Sequence, residues 1–185
     1  MAENNRRSAL EAHYRPGRHG VAGREGVTLV ERRGLAMAQV NGAPEGEGPA
    51  RLAAKTSGDF TLLWTGPGQW FVVSDRASPA ELVAQFEERF SSTDATLTDL
   101  SHARTVVRIA GGAWRDLLAK GCPADIDAMK SGECVASLLS HFTVVIHCVA
   151  DDTADVYVPR SFGASLWDWL RGGAEEFGYA VLDPL

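Results

Sequence analysis

No stretch of this sequence is apolar for long enough to cross a bilayer. The longest candidate, Phe142 to Ala150, is interrupted by Thr143 and His147 and reads as a buried strand. The N-terminus has no apolar segment of the secretory kind, so the cytoplasm is the expected compartment. Cysteine is scarce: Cys122, Cys134 and Cys148 form no CxxC pair, and an odd number in 185 residues argues against a disulfide framework. They are read as reduced thiols with no motif for redox or nucleophilic work. Positive charge is also short, with 18 Lys and Arg against 24 Asp and Glu and a net charge of −6. Such a chain has no global field to attract phosphate backbones or anionic lipid, which excludes nucleic acid and membrane surfaces as expected partners.

What remains is an ordinary globular composition, 45% hydrophobic and 23% charged. Residues 1–25, bearing Arg6, Arg7, Arg15 and Arg18, show no sustained apolar period and are expected to form a flexible arm. That arm is either a solvated tail or a segment that orders against an acidic partner surface. Val27 to Val30 and Leu35 to Val40 read as strands, Asn41 to Pro49 as a surface loop, and Phe60 to Trp64 with Trp70 to Ser74 as a hairpin about Gly66-Pro67-Gly68. Ser78, Pro79 and Glu81 spell a capping box, so a helix starts there. Thr105 to Ile109, Cys134 to Leu139, Phe142 to Val149 and Asp155 to Val158 read as strands. A short helix at Trp114 follows Gly111-Gly112. Ser161 is expected to cap a last helix striped by Phe162, Leu166, Trp169 and Leu170 and ended by Gly172-Gly173; Tyr179 to Leu182 closes the chain as a strand.

The order hairpin, helix, strand thus occurs twice. The expected fold is α+β, with residues 26–185 forming one domain of two ferredoxin-like βαββαβ-type halves, about 26–100 and 101–185.

No group of residues assembles a reactive centre. Asp99, Ser101 and His102 are too close in sequence to face one another, and are expected instead to bond backbone at a strand-to-turn transition. His141 and His147 would stand about 20 Å apart along a strand, too far for one metal. Gly111-Gly112 lacks the longer phosphate-binding patterns and reads as a tight turn. Trp167, on the far side of the last helix from its stripe, is expected to be an exposed interface anchor. No catalytic, cofactor-binding or metal residue is assigned.

Several segments nevertheless resemble one family. Asp99-Leu100-Ser101-His102-Ala103-Arg104-Thr105, Leu118-Ala119-Lys120-Gly121-Cys122-Pro123 and Val158-Pro159-Arg160-Ser161-Phe162, with Leu166 to Leu170, are similar to the gamma subunit of heterotetrameric sarcosine oxidase. Arg7-Ser8-Ala9-Leu10 and Gly66-Pro67-Gly68-Gln69-Trp70 fit as well. The resemblance implies a fold like the folate-binding domain of glycine-cleavage aminomethyltransferases. It also implies a non-catalytic place in a complex that demethylates sarcosine to glycine and passes the one-carbon unit to tetrahydrofolate. Partners would be alpha, beta and delta subunits; FAD, FMN, NAD, tetrahydrofolate and zinc would sit on those, none on this chain. The expected interface is Arg6, Arg7, Arg15, Arg18 and Trp167. A separate reading is a stand-alone folate-binding or aminomethyltransferase-like protein. Against it, His141 to His147 hold no Asp or Glu where aminomethyltransferases place their catalytic carboxylate. Lys120-Gly121-Cys122 also leads into Pro123 and Ala124, not the Tyr and Gln of the iron-sulfur repair proteins.

Overall fold

The computed structural model describes residues 7–21, 25–42, 60–90 and 95–185. Strand β1 (Gly17–His19) precedes β2 (Val27–Arg32), β3 (Ala36–Asn41) and the hairpin β4 (Thr61–Gly66) and β5 (Gln69–Ser74). Helix α1 (Pro79–Phe90), β6 (Thr96–Asp99), β7 (Arg104–Ala110) and α2 (Trp114–Ala119) follow. The chain then runs through β8 (Cys134–Leu139), β9 (Phe142–Ala150), β10 (Thr153–Pro159), α3 (Gly163–Ala174) and β11 (Tyr179–Val181). Helix α1 begins where its capping box predicts: the Ser78 amide donates to Glu81 Oε2 at 2.8 Å and the Glu81 amide to Ser78 Oγ at 3.3 Å.

The strands form a seven-stranded sheet, β1-β11-β2-β7-β10-β9-β8, and a four-stranded sheet, β4-β5-β3-β6. Alternation along the strands gives each sheet two buried faces. Ala154, Val156 and Val158 of β10 join Trp114, Leu117, Leu166 and Leu170 in the core beneath α2 and α3. Tyr157 points the other way, meeting Val106 and Val145 with Met37, Leu63, Phe71 and Val73 of the smaller sheet. Leu82 and Phe86 of α1 cover the outer face of that smaller sheet against Ala36, Ala38 and Val72. The fold is α+β, in layers of helix, sheet, sheet and helix.

The repeated element order is visible in the strand order, but the two halves do not separate where expected. In β4-β5-β3-β6 the fourth strand lies beside β3; in the larger sheet its counterpart β11 is parted from β7 by β2, which pairs parallel with β11 and antiparallel with β7. A strand from the first half therefore completes the sheet of the second.

The N-terminal segment differs more. Arg6 lies outside the described residues, as does everything after residue 42 in the expected Asn41 to Pro49 loop. Residues 7–21, expected to be flexible, are packed. Leu10 is fully buried in the core beneath α2 and α3, and β1 pairs with β11. Tyr14 stacks on Trp167 at 5.1 Å, donates its hydroxyl to the Leu182 carbonyl at 2.5 Å and accepts from the Glu31 amide at 3.1 Å. Trp167 is accordingly a fully buried core residue and not an exposed anchor. The buried residues of α3, Gly163, Leu166, Trp167, Leu170 and Ala174, form one i, i+3, i+4, i+7 stripe that packs with Leu10 and Tyr14; it is rotated from the expected stripe, so that Trp167 takes the place given to Trp169 and Phe162. Phe162, placed in the stripe by periodicity, is 46% exposed.

The ends of α3 also move. Arg160–Phe162 forms a 3-10 turn with no side-chain cap from Ser161, and the helix continues through Gly172-Gly173 to Ala174. At Gly173 an added Cβ would come within 2.8 Å of Leu117 Cδ1, so this residue lets α3 approach α2 closely. At Gly111, φ is +117° and a Cβ would meet the Gly26 carbonyl oxygen at 2.5 Å. Its amide donates to the Asp152 carbonyl at 2.8 Å and that of Ala113 to Gly26 at 3.1 Å, so the chain itself uses these donors, as a tight turn requires.

Leu10→Ala should test the buried N-terminal segment. Truncation of a core leucine costs about 2–5 kcal/mol, and urea unfolding should show a loss in that range. A truly flexible arm would give no change.

Candidate functional site

The inner face of the seven-stranded sheet carries charge as well as apolar side chains. His147 on β9, Asp155 on β10 and Arg108 on β7 stand directly opposite one another in register, with Arg32 on β2 diagonal to Arg108. Asp155 is 1% exposed. It accepts two hydrogen bonds from Arg108, at 2.7 and 2.9 Å, and one from Arg32 at 2.9 Å; Arg32 also reaches Asp75, after β5, at 3.5 Å. The bond to Asp155 raises the pKa of Arg108 despite its burial. Two carboxylates and two guanidinium groups neutralise one another and tie the two sheets together at this end of the seam.

Burial favours the neutral form of several other groups of the interior. Burial pushes the Cys134 and Cys148 thiols up, and Tyr157 far up. Burial likewise lowers the pKa of His147, although Asp155 pulls the other way. Cys122, Cys134 and Cys148 are all free thiols. His141 is exposed, leans on Phe142 at 4.0 Å and lies 3.2 Å from Ser140 Oγ, with no carboxylate orienting its ring among the described residues. No group of three or more His, Cys, Asp and Glu able to hold a metal occurs among the described residues.

At the opposite end of the seam, three of the segments singled out in the sequence converge on one cleft. Arg7 and Ser8 come from the N-terminal segment, Ser101 and His102 from the β6–β7 connection, Arg104 from the start of β7, and Arg160 from just after β10; the cleft has a volume of about 170 Å³. Ser101 acts as expected: its amide donates to Asp99 Oδ1 at 2.8 Å, and its Oγ accepts from the Met37 amide at 2.9 Å. His102 points outward and is exposed. The Arg160 amide donates to the Ala103 carbonyl at 2.9 Å and its guanidinium to the Arg7 carbonyl, joining all three segments. Ser8 donates to Glu31, which also accepts from Arg33 at 2.7 Å.

Sequence reading leaves Arg104, Arg108, Arg160 and Asp155 without roles. A signal is present for two of them: Arg108 and Asp155 occupy inward positions of strongly apolar strands, where a charge must find a partner. Of the expected interface residues, Arg7 lines the cleft, whereas Arg15 bonds its neighbour's carbonyl at 2.8 Å and Arg18 pairs with Glu25 at 3.2 Å on the open surface.

Two predictions follow from the seam. Asp155→Ala leaves Arg32 and Arg108 buried against each other without their carboxylate, and should cost about 3–5 kcal/mol in urea unfolding. His147 sets a pH dependence. The unfolded chain takes up a proton at this residue near its ordinary pKa of 6.5, where the folded chain does not. Its effect on stability is therefore absent above that value and destabilising as pH falls through it. Melting temperature should drop from about pH 7.5 to about pH 5.5, and the drop should be smaller in His147→Asn.

Comparison with known proteins assigns this arrangement. The family model described as the sarcosine oxidase gamma subunit family matches residues 33–176. The sarcosine oxidase subunit gamma of Corynebacterium sp. (strain U-96) is 27% identical over 176 residues, covering 86% of this chain and 85% of that protein. That of Corynebacterium sp. (strain P-1) is 26% identical over 145 residues, covering 77% and 69%. Among solved structures, a chain of the heterotetrameric sarcosine oxidase of Corynebacterium sp. U-96, in complex with pyrrole 2-carboxylate, superposes with a TM-score of 0.78 at 25% identity, covering 93% of this chain and 96% of that one. Aminomethyltransferase T of the Bartonella henselae glycine cleavage system shares the fold, with a TM-score of 0.64 at 14% identity over 95% of this chain and 57% of its own. The match spans most of the chain in both sequence and structure, and the chain belongs to the sarcosine oxidase gamma subunit family.

Proposed function

We propose that this chain is the gamma subunit of a heterotetrameric sarcosine oxidase and serves its assembly and stability, not its chemistry. The observation that carries this reading is the match to a chain of the Corynebacterium heterotetramer, which covers 96% of that chain and so leaves little of either without a counterpart. The interior supports it. Asp155 is consumed by two arginines, and burial holds His147, Cys134, Cys148 and Tyr157 in their neutral forms. Asp155 with Arg32 and Arg108 secures the seam between the sheets. In this reading the oxidative demethylation of sarcosine, and the FAD, FMN, NAD, tetrahydrofolate and zinc it employs, belong to alpha, beta and delta subunits. Arg7, Arg15 and Arg18 are exposed and form the proposed contact surface, with Trp167 removed from it by burial. The compartment is the cytoplasm; no helix among the described residues is long and apolar enough to cross a membrane.

Co-expression with the three partner subunits should yield one particle containing a copy of each, measured by light scattering and native mass spectrometry. An active oxidase that assembles fully without this chain would overturn the reading.

A further inference from the structure

The cleft at the end of the seam holds cations that the chain does not neutralise. Arg104 and Arg108 share one face of β7, four residues apart, yet only Arg108 has a carboxylate. The Arg104 guanidinium lies over the Phe71 ring at 5.2 Å, and its Nε is buried without a hydrogen-bond partner among the described residues. Burial lowers its pKa, but a guanidinium remains charged at neutral pH. Arg7 and Arg160 stand exposed at the rim, and neither has an ion pair among the described residues. Arg33 is already matched by Glu31, and Arg32 by Asp155. The half-buried Arg104 is unfavourable unpaired, and with the exposed Arg7 and Arg160 it gives the cleft a local positive field on a chain of net charge −6.

We propose that this cleft receives a carboxylate-bearing segment of a partner subunit, an Asp or Glu side chain or a C-terminal carboxylate, docked on Arg104 between Arg7 and Arg160. The proposal rests on the reading of the chain as a subunit. Guanidinium groups suit a carboxylate because their paired N–H donors match its two oxygens. A polypeptide source fits better than a free anion because of what lies beside the charges. Ala9, Leu35 and Pro79 line the same cleft, so it offers apolar contact together with its cations. A chain segment can satisfy both; an inorganic anion satisfies one.

The test measures binding of the purified full-length chain to the assembly of the other three subunits. Arg104→Met keeps a long apolar stem and removes an unpaired charge, so the isolated variant should melt at the wild-type temperature or above it. Its affinity for the partner assembly should nevertheless fall at least about tenfold, with Arg104→Lys in between. Arg7→Glu, on an exposed side chain, should give a similar loss and keeps the test open if Arg104→Met does not fold. Wild-type binding should weaken with salt, and a photo-crosslinker at the exposed position His102 should attach to an acidic partner segment. Folded variants that bind like wild type would overturn the proposal while leaving the subunit reading intact. Wild-type chain that does not bind the assembly would overturn both. If citrate or phosphate raises the melting temperature of wild type but not of Arg104→Met, and assembly is unaffected, the cleft is a small-anion site and the partner proposal fails.

Discussion

A carboxylate at 1% exposure has to be met by cations, and Asp155 imposes that requirement on the middle of a seven-stranded sheet. Arg108 meets it from β7 and Arg32 from β2, so three adjacent stretches of backbone are held in one register by a single group. Arg32 passes the constraint to the second sheet through Asp75. With that end of the seam pinned, Tyr157, Val106 and Val145 close against Met37, Leu63, Phe71 and Val73, and Arg104 is carried to the far end of the same strand face. The same geometry that saturates Arg108 therefore leaves Arg104 without an acid among the described residues.

The second organising feature is that the seven-stranded sheet is covered on its helix side by more than its helices. Leu10 and Tyr14 share that core with α2 and α3, and the Tyr14 hydroxyl bridges the backbone of β2 and the residue after β11. This packing brings Arg7 and Ser8 beside Ser101, Arg104 and Arg160. The N-terminal segment thus completes the cleft as well as the core, and its charged residues divide accordingly: Arg7 faces the cleft, and Arg15 and Arg18 face outward.

These arrangements suit a member of the sarcosine oxidase gamma subunit family that shares its fold with an aminomethyltransferase. The most deeply buried carboxylate, Asp155, is committed to the two arginines that help hold the sheets together. At the surface, Arg7 and Arg160 stand beside Arg104 at one cleft with no ion pair among the described residues.

Much of the local structure could be read directly. The capping box at Ser78 and Glu81, the Ser101 bonds to backbone and the strands of strong β-branched pattern all follow from interactions within a few residues or from period-two alternation, which any sequence displays. The family was also legible, because its motifs are contiguous. The N-terminal segment was not: Leu10 and Tyr14 carry no sustained period, and their burial depends on α3 and β2, which lie far along the chain. Trp167 is misplaced by a stripe phased on Phe162 and Trp169; which face of α3 is buried depends on Leu10 and Tyr14, near the other end of the chain. The pairing of Arg108 with Asp155 and the isolation of Arg104 likewise depend on which strands become neighbours. The sequence by itself determined the elements, their order and the family, through local hydrogen bonding and periodicity. Tertiary structure alone decided which charges are matched among the described residues, because that is a matter of distance between residues tens of positions apart.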